Sequence, residues 1–156
     1  MYQTVIWATD GSEAADVALT EALQLIKPTG RLVAVHCDQL ITGGRAGGVS
    51  FLADEQDVRA KIKAQVEQVR AEGREAELVV RSTHAAPAQV IAALAEELDA
   101  DAIVCGTRGL GAFSGALLGS VAQRLPHVAP CTVVTVPERT RSTTAREPLT
   151  SASHRQ

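Results

Sequence analysis

The apolar positions of the chain follow two alternating periods. Short runs rich in valine and isoleucine read as strands: QTVIWAT (3–9), RLVAVHC (31–37), EAELVVR (75–81), DAIVC (101–105) and CTVVTV (131–136). Between them lie alanine-rich segments of helical period. In DGSEAADVALTEALQLIK, Ala15, Leu19, Ala22, Leu23 and Ile26 share one helical face, and Pro28 with Gly30 is expected to end that helix. Further helices are expected at about 52–72, closed by Gly73, at 87–98, opened by Pro87, and near 116–125, stopped around Pro126. Strand alternating with helix is the pattern of βαβ units, which predicts an α/β fold around a parallel sheet. Two segments carry neither period. DQLITGGRAGGVS, with four glycines, reads as a long functional loop over 38–51. Beyond Pro137, the Ser, Thr, Arg and Pro mixture has little to bury, so 138–156 is expected to be a disordered tail behind one domain over 1–137.

Composition narrows the setting. A chain of 156 residues with 46% hydrophobic and 21% charged residues is the size and make-up of one globular domain. No stretch approaches the roughly 18 apolar residues of a membrane span, and the start lacks a basic flank, so a soluble, cytoplasmic protein without membrane contact is expected. A net charge of −3 gives no field for a nucleic-acid backbone. Cys37, Cys105 and Cys131 form no CxxC pair and read as reduced structural thiols. His36, His84, His127 and His154 have no second ligand at a recognisable interval, so none is read as metal-binding.

The densest chemistry is in CGTRGLGAFSGALLGS (105–120), where Gly106, Gly109, Gly111, Gly115 and Gly119 follow the fourth strand. A dinucleotide fingerprint would need GxGxxG after the first strand, and a Walker loop would need a lysine that the chain does not supply after Lys63. Two readings stay open. Gly111, Gly115 and Gly119 recur every fourth residue and would let a helix approach the sheet closely. Alternatively, Gly106 to Gly109 end a strand while Gly119 and Ser120 open a helix, the place where a parallel sheet binds phosphate. Asp10 reads as a ligand contact or, more simply, as a turn-former or cap of the first helix before Gly11 and Ser12. Arg108 reads as a solvated charge or a phosphate partner.

The spacing Gly106, two residues, Gly109, nine residues, Gly119–Ser120 resembles the ATP-binding branch of the universal stress protein family, and VIWATDGSEAADVAL resembles that family's first strand and helix. The likeness runs in order over residues 3–136. It implies a doubly wound sheet of five parallel strands in the order 3-2-1-4-5, with ATP across strands one and four. It further implies that Ala8, Thr9 and Asp10 border the ribose and phosphates. His36 and Cys37 would mark the backbone that meets the adenine, while Gly106, Gly109, Gly119 and Ser120 cradle the phosphates beside Arg108. Mg²⁺ would be held through the phosphates with Asp10. A homodimer through the final strand is implied as well. Ala85, where the family commonly has glycine two residues before the third helix, is the departure. A nucleotide-loaded regulatory or stress-response module read by a protein partner is the function expected. A slow ATP-hydrolysing switch in the same pocket is the alternative, since no triad, paired carboxylates or phosphoryl-transfer lysine is evident. An α/β interaction protein without nucleotide is a third reading.

Overall fold

The computed structural model describes residues 1–39, 48–108 and 118–138, with the backbone alone at Gln39 and 48–54. The elements alternate without exception: β1 (Tyr2–Ala8), α1 (Glu13–Leu25), β2 (Ile26–Gln39), α2 (Gly48–Ala71), β3 (Glu75–Thr83), α3 (Pro87–Glu97), β4 (Ala102–Gly106), α4 (Ser120–Val128) and β5 (Thr132–Val136). All four strand pairings are parallel and the order is β3-β2-β1-β4-β5, as the resemblance implies. The direction of winding reverses at β1, whose neighbours are β2 on one side and β4 on the other. A crevice opens where such a reversal occurs, beyond the carboxyl ends of the central strands.

Strand alternation builds two cores. Val5, Trp7, Leu32, Ala34 and Val104 face α1 and α2, where Ala18, Ala22, Ile62, Val66 and Val69 cover them. Ile6, Ala8, Val33, Val35 and Ile103 face α3 and α4, under Ala88, Ile91, Leu94, Ala95 and Leu125. The residues that α1 buries are all alanines, Ala14, Ala15, Ala18 and Ala22. Trp7 is fully buried, and its indole N–H donates to the Ala15 carbonyl at 2.9 Å, pinning α1 to β1.

Three expected boundaries are corrected. Ile26 does not belong to the first helix but opens β2, paired with Tyr2. Lys27, Pro28 and Gly30 fall in an irregular stretch of that strand, where the register jumps from Tyr2–Ile26 to Thr4–Arg31. Proline and glycine are tolerated at such a bulge, so they do not mark the helix end. The second helix starts at Gly48, inside the segment read as the 38–51 loop; residues 40–47 of that segment lie outside the described residues. The fourth helix begins only at Ser120 and carries Pro126 within it. A proline removes its own N–H from the ladder and crowds the carbonyl four residues back, yet the next turn is still closed by Ala129 N–H donating to the Leu125 carbonyl at 2.9 Å. The tail over 139–156 lies outside the described residues. Among the described residues no helix is long and apolar enough to cross a membrane.

Candidate functional site

Register places the candidate residues. Ala8 pairs with Val35 of β2 and with Cys105 of β4, so Thr9, His36 and Gly106 emerge side by side at the carboxyl edge of the sheet. The Thr9 N–H continues the ladder by donating to the Val35 carbonyl at 2.9 Å. Asp10 then leaves the sheet. Its carboxylate accepts the Ser12 N–H at 3.0 Å, forming an Asx turn, and Gly11 takes φ +82°, a left-handed conformation that side chains disfavour. Ser12, not Asp10, caps α1: its hydroxyl oxygen accepts the Ala15 N–H at 3.3 Å. From α2, Lys61 donates to the Gly11 carbonyl at 2.7 Å and pairs with Asp16 at 2.7 Å, bracing the turn from outside. Sequence reasoning missed Lys61, which lies 50 residues from Gly11.

On the other side of the crevice, Thr107 donates its N–H to the Val136 carbonyl at 2.9 Å and accepts the Gly119 N–H at 2.7 Å. That second bond seats the amino terminus of α4 against the end of β4, across the whole intervening spacer. Gly119 is the N-cap residue, in extended conformation and with no side-chain cap, and Ser120 is exposed at the first helical position. The helix therefore directs N–H groups and the positive end of its dipole to the same edge as Asp10. Arg108 is exposed beside it. Gly109, with Gly111 and Gly115, lies outside the described residues.

The glycine at 106 has a packing cause. A Cβ there would lie 2.8–2.9 Å from the backbone and side chain of Ala14 in α1, a separation at which something must shift. Close helix-on-strand approach accounts for this residue, so its lack of a side chain is no sign of a ligand. Ala85, the departure before α3, is exposed. Asp99 alone among the described non-glycine residues has positive φ, so Ala85 occupies its place without backbone strain.

The thiols match the structural reading. All three are free; burial pushes Cys105 up to about 11, and burial also raises Cys37, partly offset by Arg81. The chain gives His36 no second ligand at a recognisable interval, and the fold brings Asp38 and Glu55 to it, with ligand atoms of all three within 4.8 Å of one another. Glu55 is 19 residues away on another element, and no interval in the chain announces the meeting.

Comparison with known proteins bears on the whole domain. The model of the universal stress protein family matches residues 1–137. A relative from Thermus aquaticus, the universal stress protein in the QAH/OAS sulfhydrylase 3′ region, is 32% identical over 139 residues, covering 87% of this chain and 99% of its own. The universal stress protein of Archaeoglobus fulgidus, solved in complex with dAMP, is 27% identical with a TM-score of 0.61, covering 87% of this chain and 98% of that one. A universal stress protein solved in complex with cAMP is 27% identical with a TM-score of 0.60, covering 86% and 97%.

Proposed function

The chain belongs to the universal stress protein family, and on that footing we propose that residues 1–137 form one domain that binds ATP at the β1–β4 reversal and acts as a nucleotide-dependent regulatory module. The observation that carries this is the junction of Thr107 with Gly119, which brings the uncapped start of α4 to the strand end beside Thr9 and Asp10. Two relatives bind adenine nucleotides, cAMP and dAMP, in their solved complexes. Both ligands share the adenine and one phosphate, and both support an adenine nucleotide here.

The donor set fits such a group. Main-chain N–H groups at the start of α4, the Ser120 hydroxyl and the Arg108 guanidinium are all suited to phosphate oxygens. Ala8, Thr9 and Asp10 border the ribose side, and the backbone beside His36 and Cys37 supplies the edge that adenine would meet. Gly109 joins the phosphate cradle by its place in the motif. A bound triphosphate would bring Mg²⁺, for which Asp10 is the nearest carboxylate in sequence to the phosphate loop's partner strand. What these residues do is bind and orient. The outer edge of β5, unpaired among the described residues, supports a homodimer, through which occupancy of the site would reach a partner.

Mass spectrometry of the small molecules released when the purified protein is denatured tests the proposal. Recovery of ATP is the expected result; recovery of ADP alone after incubation with Mg²⁺ would point to the hydrolytic alternative. Finding no nucleotide, together with no uptake of added ATP, would overturn it.

A further inference from the structure

His36 is almost wholly buried at the end of β2. Its Nδ1 lies 2.9 Å from the Thr9 carbonyl oxygen. A carbonyl only accepts, so Nδ1 carries the hydrogen, and Nε2 is turned to two acidic groups: Glu55 Oε1 at 2.6 Å and Asp38 Oδ1 at 3.4 Å. With Nδ1 as the donor, Nε2 faces carboxylate oxygens, an arrangement that a single shared proton or a bound metal ion would satisfy.

A proton satisfies one of these contacts, that to Glu55. It leaves Asp38 Oδ1, buried in a side chain only 11% exposed, without a hydrogen-bond partner. Such an orphan is destabilising. A cation held by all three groups would satisfy it. The 3.4 Å between Nε2 and Oδ1 is close to the separation of two ligands each about 2.1 Å from a tetrahedral ion. Glu55, at 2.6 Å, would have to retreat by several tenths of an ångström, which its partly exposed position on α2 permits. The Nδ1–H bond to a main-chain carbonyl is also the support that fixes the tautomer and ring orientation of metal-bound histidines. On the outer side, Arg59, one turn beyond Glu55, pairs with Asp38 and donates from Nε to Glu55 at 3.2 Å. Its side chain is 42% exposed, so it can swing into solvent and surrender the carboxylates.

We propose that His36, Asp38 and Glu55 form a binding site for a divalent first-row transition ion of the zinc class, with Arg59 as the cation that occupies the carboxylates in its absence. One imidazole with two carboxylates selects such an ion over Mg²⁺ or Ca²⁺, which take oxygen ligands, and leaves a fourth position for water. The bound ion would tie β2 to α2, and through the His36–Thr9 bond to the end of β1. The inference does not depend on nucleotide binding, because it uses side chains and no phosphate.

The test is titration of the full chain, stripped with chelator and free of nucleotide, with Zn²⁺ by calorimetry and with Co²⁺ by visible absorption. The expected result is one Zn²⁺ per chain and a Co²⁺ spectrum lacking thiolate charge-transfer bands, which excludes the cysteines. His36→Gln should weaken Zn²⁺ binding by about 100-fold, and Arg59→Gln should strengthen it by about tenfold, since the competing cation is gone. Should His36→Gln fail to fold, Asp38→Asn and Glu55→Gln must show the same loss with melting curves intact. Stoichiometric binding that survives these substitutions would overturn the proposal. So would absence of Zn²⁺ binding in both the parent and Arg59→Gln, which would leave the four side chains as an ion-pair lock between α2 and β2.

Discussion

A methyl group placed on Gly106 meets Ala14 at 2.8–2.9 Å, whereas at Gly73 an added Cβ would have no neighbour within 4 Å and the constraint is instead its left-handed φ of +82°. Gly106→Ala should therefore destabilise the apo protein by about 1–3 kcal/mol through overpacking of α1 on β4, read as a melting temperature lower by several degrees. An unchanged melting curve would mean that α1 shifts without cost. Sequence alone picked out the glycines of 105–120 but offered packing and ligand readings together, because a missing side chain looks the same in either case. The neighbour that decides Gly106, Ala14, lies on a helix 92 positions earlier. Asp10 was similarly ambiguous: the turn before Ser12 was legible in DGS, whereas its place across from α4 depends on tertiary register. Glu55 and Arg59 carry the i, i+4 spacing of a helical ion pair, but nothing local points them at His36.

At the scale of elements, the five strands and four helices follow the period of the apolar positions, and the disagreements sit at their ends. Pro28 and Pro126 were read as stops because proline breaks ladders, yet one lies in a strand irregularity and the other in the last turns of a helix, where the lost bond is a single one. Among the described residues the edge strand β5 pairs with β4 alone and keeps Val133 and Val134 half-buried. An unpaired row of N–H and C=O groups flanked by valines is a template for a second copy. Val134→Lys should shift the protein from dimer to monomer in sedimentation equilibrium without loss of fold. A parent protein that sediments as a monomer would contradict the pairing.

For the whole molecule, the sheet is closed at its amino edge by Asp101, whose carboxylate accepts the Thr4 N–H at 2.8 Å and the Gln3 N–H at 2.7 Å. These two bonds, Thr4 first, hold its pKa below the usual carboxylate value. A carboxyl with a depressed folded-state pKa contributes stability that is present above its unfolded value of about 3.9 and is lost as pH falls through the lowered value. The melting temperatures of Asp101→Asn and the parent should thus differ at pH 7 and converge below about pH 4; a gap independent of pH would contradict this. The contribution is modest because the group is exposed to solvent.

The central claim is that an adenine nucleotide binds where β1 and β4 meet the start of α4. Thermal unfolding of the full chain with and without ATP and Mg²⁺ tests it most directly. At about 100 times the dissociation constant, a ligand specific for the folded state adds about 2.7 kcal/mol, so the melting temperature should rise by several degrees. Gly109→Val should remove that rise while leaving the apo transition in place, because a branched side chain would fill the space that the phosphate motif reserves. A transition that stays at the same temperature with ATP, AMP and cAMP at millimolar concentration would contradict the account.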